Sequence, residues 1–207
     1  MAYWSAENAT KAFLSTFKMG QKSKEPSVAE YISALAAGNN AQLMVVACAA
    51  AADSTIFALI AAANQTNGNV VCIVPNHEDL IASKNFLGVV SNEVQFMTGK
   101  VAQELSVLNQ ADFVVIDCNL VNHKEILKLV QIGGCKEKGR VVVGYNAFSC
   151  KGSWRSNGSI TKLLPIGEGL LVTRFRGNAR SRWIVKVDRY TGEEHVFRVR
   201  LPQGKVI

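Results

Sequence analysis

Gln42-Leu-Met-Val-Val-Ala-Cys48, Ala49-Ala-Ala-Ala-Asp53 and Ser54-Thr-Ile-Phe-Ala-Leu-Ile-Ala-Ala-Ala63, followed by Asn69-Val-Val-Cys-Ile-Val74, is the stretch that decides the fold. The first run is apolar and too short for a helix of its own, so it reads as a buried strand. Small residues make the loop Ala49–Asp53, and Ser54–Ala63 reads as a helix. Asn64–Gly68 is a polar break before a second strand, Asn69–Val74. Strand, tight loop, helix and parallel strand form a βαβ unit, the half of a doubly wound sheet that cradles nucleotides. Such units carry glycines in the loop and an acid after the second strand. Here the loop is Cys48-Ala-Ala-Ala-Ala-Asp53 and the strand ends Val74-Pro-Asn76.

The same alternation continues outward. Ser5–Lys18 is amphipathic, with Ala9, Ala12, Phe13 and Phe17 at helical spacing. Pro26 stands at a first-turn position, and Val28, Tyr31, Ile32 and Leu35 make a second helical stripe that stops at Gly38-Asn-Asn40. Further helices are expected at His77–Leu87, Val101–Leu108 and His123–Ile132, and strands at Val94–Thr98, Asp112–Cys118 and Gly139–Tyr145. Past Phe148 come three strand-like runs, Gly169–Arg176, Arg182–Asp188 and His195–Leu201, with turns at Gly177-Asn178 and Thr191-Gly192. The expected fold class is therefore α/β: five parallel strands followed by an antiparallel C-terminal meander, with helices on both faces. The meander is expected to join the sheet that contains Leu43–Cys48, giving a seven-strand type. The expected organisation is one domain over residues 1–207, with N-terminal helices to 40, a Rossmann-like core over 41–148 and a basic meander from 149.

The apolar run Leu43–Ala63 is long enough to raise a membrane span, but Asp53 interrupts it and alanine dominates, which favours a strand and a buried helix. The first residues lack a basic region followed by an apolar run. Five cysteines (48, 72, 118, 135 and 150) form no C-x-x-C pair. Cys48 and Cys72, in expected parallel strands, read as small buried hydrophobes in a reducing compartment, whereas Cys118, after a strand end, is expected to be accessible. The expected location is intracellular, cytoplasmic or nuclear.

Four segments carry a resemblance: Ala41–Cys48 with Asp53–Leu59, Gly68–Asn76, Ala111–Asp117, and Leu164-Pro-Ile-Gly-Glu-Gly-Leu170. In these the chain resembles S-adenosylmethionine-dependent methyltransferases, nearest the catechol and caffeoyl-coenzyme A O-methyltransferases. More narrowly, it resembles the plant domain-of-unknown-function 1442 family. The resemblance runs over roughly Pro26 to Asp188 and implies a Rossmann-like methyltransferase fold with S-adenosylmethionine as cofactor. The positions it implies for the cofactor are Ala47, Cys48, Ala49, Asp53, Ser54, Val74, Asn76, Lys100, Val101 and Asp117.

The departures fall on those same positions. Cys48, Ala50 and Ala52 stand where the family places loop glycines, and each Cβ takes room beside the cofactor. Val46, Val74 and Lys100 stand where acids are expected, and Val74 replaces the partner of the ribose hydroxyls. Of the O-methyltransferase metal ligands, Asp117 and Asn146 match, but Tyr145 replaces an acid, and Leu120 replaces a lysine near the reacting hydroxyl. One carboxylate and one amide are too few hard oxygen ligands for Mg²⁺, so no metal is expected. No catalytic residue is assigned. Asp53, Ser54 and Thr55 stand at a helix N-terminus that could take an anion, but they read first as plain helix caps. His77, His123 and His195 are dispersed and lack metal spacing.

The net charge of +7 is unevenly spread. Residues 151–207 hold twelve Lys/Arg against four Asp/Glu, a net +8, which leaves −1 for the first 150. Alternation in the late strands gathers Arg174, Arg176, Arg182, Arg198 and Arg200 on one expected face, with Arg180 in a turn. Such a face suits a polyanion or an acidic protein, or is a solvated edge that blocks sheet pairing. Three function classes follow: a methyltransferase with an altered cofactor pocket, a non-catalytic scaffold or anion-, nucleic-acid- or protein-binding module using the basic strands, and a dinucleotide enzyme. The missing glycines and ribose acid weaken the last as much as the first, and the late meander favours the methyltransferase-like layout.

Overall fold

The computed structural model describes residues 4–19, 27–100, 105–132, 139–149, 159–175, 181–188 and 191–200. Helix α1 (Ala6–Met19) and helix α2 (Val28–Gly38) open the chain. The start of α2 is set by a capping box: the Ser27 hydroxyl accepts from the Ala29 amide, while Ser27 N and Oγ donate to Glu30 Oε2 at 2.7 Å.

The βαβ unit follows as β1 (Leu43–Ala47), α3 (Thr55–Thr66) and β2 (Asn69–Val74). Helix α3 runs through most of the expected polar break. Only Asn67, in the left-handed conformation with φ 53°, ends it. Then come α4 (His77–Leu87), β3 (Val94–Thr98), α5 (Leu105–Gln110), β4 (Phe113–Asp117), α6 (His123–Ile132) and β5 (Arg140–Tyr145). The first residues of the expected Val101–Leu108 helix lie outside the described residues, as does Pro26. No helix among the described residues is long and apolar enough to cross a membrane.

Two departures concern the late strands. A strand the sequence reading did not assign, β6 (Ile160–Leu164), forms the edge of the main sheet. It pairs antiparallel with β7 (Leu170–Phe175), which pairs antiparallel with β5. The seven-stranded order is β3-β2-β1-β4-β5-β7-β6, the first five parallel. Strands β8 (Ser181–Val187) and β9 (Glu194–Arg200) form a separate two-stranded hairpin, not a continuation of the sheet as expected.

The turn Leu164–Leu170 is built on glycine. Gly169 has φ 87°, and a Cβ there would lie 2.8 Å from the Phe148 ring.

Period-two alternation builds two cores. Met44, Val46, Cys48, Cys72, Phe113, Val115, Val143 and Tyr145 pack with α1, α2 and α3 on one face. Val45, Ala47, Val71, Val114, Ile116 and Val142 pack with α5 and α6 on the other. Parallel strands buried on both faces account for the unbroken apolar runs that marked them in the sequence.

Candidate functional site

The sheet order reverses between β1 and β4, and ligands of doubly wound sheets bind beyond the strand ends at that reversal. Three expected residues meet there. Asp117, at the end of β4, is buried at 7% exposure. Its Oδ1 accepts from the Asn119 amide at 2.9 Å and from Asn146 Nδ2 at 2.9 Å. Its Oδ2 accepts, at 3.4 Å, from the Ala49 amide across the reversal. One carboxylate thus ties together the chain ends after β1, β4 and β5. Asn146 reaches it from a left-handed backbone, φ 55°, which asparagine tolerates better than most residues.

The alanine loop is held along its length. Cys48 N donates to the Ile73 carbonyl at 3.0 Å, and Ala52 N donates to Ser83 Oγ of α4 at 2.8 Å. Asp53 Oδ1 accepts from Thr55 N at 2.8 Å and from Thr55 Oγ1 at 2.6 Å, so Asp53 caps α3 while Ser54 makes no side-chain cap bond. None of Ala49–Asp53 has positive φ. The loop therefore adopts a path that alanine takes without strain, which explains why the glycines are dispensable to the fold.

Tyr145, at the end of β5, is 4% exposed and lies close to Cys48, Asp53, Thr55 and Asp117. Burial first, then Cys48, Asp53 and Asp117, push its phenol far above the ordinary range, so the ring stays neutral. Cys48 Sγ lies 3.8 Å from Cys72 Sγ. The hydrogen bond with Cys72, then burial, raises the Cys48 thiol well above its usual range. Cys48, Cys72 and, contrary to the expected access, Cys118 are buried, reduced thiols. Cys135 and Cys150 lie outside the described residues.

The remaining expected cofactor positions are scattered or engaged. Asn76 caps α4, its Oδ1 accepting from Asp79 N at 2.8 Å and its Nδ2 donating to Asp79 Oδ2 at 2.7 Å. Ala47 and Val74 are buried within their strands, and Ser54 and Lys100 are exposed. Val101 lies outside the described residues.

The site does not fit a divalent metal. Both Asp117 oxygens accept N–H donors, Asn146 turns its donor rather than its carbonyl inward, and Tyr145 is a neutral phenol. Among the described residues no three His, Cys, Asp or Glu side chains converge on a common point. Buried His123 holds the Leu120 carbonyl through Nδ1 at 2.6 Å, whereas His77 and His195 are exposed. Ser83 carries no sequence signal for this site. Its partner, the Ala52 amide, lies 31 positions away, and no local pattern announces such a contact.

The arginine positions do not share one face. Arg174 is exposed on β7 of the main sheet. In the hairpin, Arg182 pairs with Val199, whereas Trp183 pairs with Arg198 and Ser181 with Arg200. Directly paired positions share a face, so position 182 falls opposite to positions 198 and 200. Each strand alternates as expected, but the register between the strands is one residue out of the phase that a single basic face requires. Arg176 and Arg180 lie outside the described residues.

Solved structures similar to this chain include methyltransferases. One from Geobacter sulfurreducens is 17% identical with a TM-score of 0.57, covering 83% of this chain and 90% of its own. The SAH-bound methyltransferase PaMTH1 from Podospora anserina is 12% identical with a TM-score of 0.55, covering 84% and 90%. An O-methyltransferase from Bacillus cereus in complex with SAH is 12% identical with a TM-score of 0.55, covering 83% and 92%. At these identities the likeness is one of fold, and this chain has the Rossmann-like methyltransferase fold. No curated protein matches its sequence. The chain belongs to the family described as protein of unknown function (DUF1442), whose model matches residues 1–199.

Proposed function

We propose that this chain uses the methyltransferase fold as a binding scaffold rather than as a methyl-transfer catalyst. The observation that carries the reading is the Asp117 tie. At the reversal point, where S-adenosylmethionine enzymes of this fold admit the cofactor, a buried carboxylate bridges Ala49, Asn119 and Asn146.

Other groups at the crevice support the same reading. The amides of Cys48, Ala49, Ala52 and Thr55 already have acceptors within the chain. Alanine side chains fill the loop, and Val74 offers no acceptor to a ribose. A charge-assisted hydrogen bond contributes about 1.5–3 kcal/mol, so loss of two or three takes a micromolar site to the millimolar range.

Calorimetric titration of the full chain with S-adenosylmethionine and with S-adenosylhomocysteine tests this. The expected result is no saturable heat at ligand concentrations up to about 1 mM. A Kd below about 10 µM for either ligand overturns the scaffold reading and restores an altered cofactor pocket.

A further inference from the structure

The β8–β9 hairpin is not hydrogen-bonded into the main sheet, and it carries an exposed apolar row. The register places Val187 beside Glu194, Val185 beside Val196, Trp183 beside Arg198 and Ser181 beside Arg200, all on one face. On that face Val185, Val187 and Val196 are 53%, 55% and 58% exposed. Two strands alone are marginal in water and gain stability when an apolar face is covered. Valines at both central positions are therefore poorly suited to a permanently solvated ribbon.

The charges on this face are ordered. Glu194 lies at the turn end, the valine row in the middle, and positions 198 and 200 at the open end. Positions 194 and 198 flank position 196 symmetrically. We infer that this face docks onto the same face of a second copy of the chain. A twofold axis between the two faces, running across the strands at the Val185–Val196 row, brings position 194 of each copy over position 198 of the other. The same operation lays Val196 over Val196 and Val187 over Trp183. Such a contact is isologous: each patch meets its own equivalent. A twofold axis along the strands does not match the charges, because it returns Glu194 to the acidic end of the partner. Charge order thus selects the copy and its orientation. The face is small beside the roughly 800 Å² per partner of a standard interface, so association is expected at about 10 µM to 1 mM chain. This inference does not depend on the scaffold reading of the crevice.

Sedimentation equilibrium of the full chain tests it. The wild type is expected to shift from 22.4 kDa toward twice that mass as concentration rises. Glu194→Arg alone sets two basic positions against each other, and Arg198→Glu alone sets two acidic ones, so each variant is expected to stay monomeric. Mixed in equal amounts, the two variants restore both opposite-charge pairs and are expected to dimerise. If either variant fails to fold by circular dichroism, Val196→Cys in a chain carrying Cys135→Ser and Cys150→Ser replaces it, and a short bis-maleimide is expected to cross-link that variant and not the parent carrying the two serine changes alone. A wild type that stays monomeric at about 1 mM, single variants that dimerise like it, or a mixture that stays monomeric overturns the proposal. So does heparin retention that Arg198→Glu abolishes and Glu194→Arg raises in a chain that never dimerises. That pattern assigns the basic positions to a polyanion.

Discussion

Truncating Asp117 separates a structural tie from a residue held ready for a ligand. Asp117 is buried, and its carboxylate accepts two 2.9 Å hydrogen bonds, from Asn119 N and Asn146 Nδ2, with a weaker third at 3.4 Å. Hydrogen bonds to a charged group contribute about 1.5–3 kcal/mol each, and donors left without an acceptor add to the loss. Asp117→Ala is therefore expected to destabilise the fold by about 3–5 kcal/mol, the 3.4 Å contact adding little. In a chain of this size each kcal/mol moves the melting temperature by roughly 2–4 °C, so a fall of roughly 6–20 °C is expected. Urea denaturation followed by circular dichroism gives the free energy directly, and the slope should be unchanged. A double-mutant cycle with Asn146→Ala should return a coupling of about 1–2 kcal/mol, because the two side chains share one hydrogen bond. The opposite outcome has a clear meaning. A carboxylate held for a ligand is strained by its own burial, and its removal leaves stability unchanged or raised. An Asp117→Ala midpoint equal to or above wild type refutes the tie, and with it the main support for the scaffold reading.

Other expectations rest on separate contacts. Arg140, buried at the start of β5, donates from Nη1 to Val130 O at 2.7 Å and from Nη2 to Asn109 O at 2.6 Å, securing the last turns of α6 and α5. Arg140→Ala should cost about 3–5 kcal/mol in a urea titration, and a cost under about 1 kcal/mol would contradict these bonds. Asp112 accepts from the amides of Gln42 and Leu43 at 3.0–3.1 Å, so Asp112→Ala should cost about 1.5–3 kcal/mol and speed hydrogen exchange at the start of β1. Tyr145 keeps its proton in the fold, whereas the unfolded ring releases it above pH 10. The unfolded state then binds fewer protons, and stability falls as pH rises, by about 1.4 kcal/mol per unit for this group. Tyr145→Phe should flatten that alkaline decline relative to wild type, and parallel curves would show that the phenol is not held neutral. Cys48 and Cys72, raised or buried thiols, should resist iodoacetamide at pH 8 in the native chain and react fully in urea. Rapid native labelling of either would place it in an open environment.

Much of the local structure can be read in the sequence by itself. The bounds of β2, α4, β3 and α6 match the expected segments, because each apolar run or stripe ends at a residue with its own local chemistry. Asn76 caps α4, and the turn at Gly88 stops it. Unbroken runs such as Val70–Val74 and Phe113–Ile116 announce strands buried on both faces, and so a parallel sheet with helices on both sides. The lost loop glycines and acids are likewise visible at Cys48, Ala50, Ala52 and Val74 without any coordinates.

What only the tertiary structure decides is how distant groups meet. Alternation along a strand assigns faces within that strand, but the phase between two strands depends on pairing. Hence positions 182 and 198 fall on opposite faces of the hairpin, although alternation within each strand alone puts both among the polar positions. Ile160–Leu164 becomes a strand because β7 offers it an edge, and the adjacent polar pair Thr161-Lys162 and apolar pair Leu163-Leu164 break the alternation that would announce one. Asp117 could be read as a ligand or as a tie. Its choice depends on an amide 68 positions away and a carboxamide 29 positions away, brought within reach only when β1, β4 and β5 lie side by side.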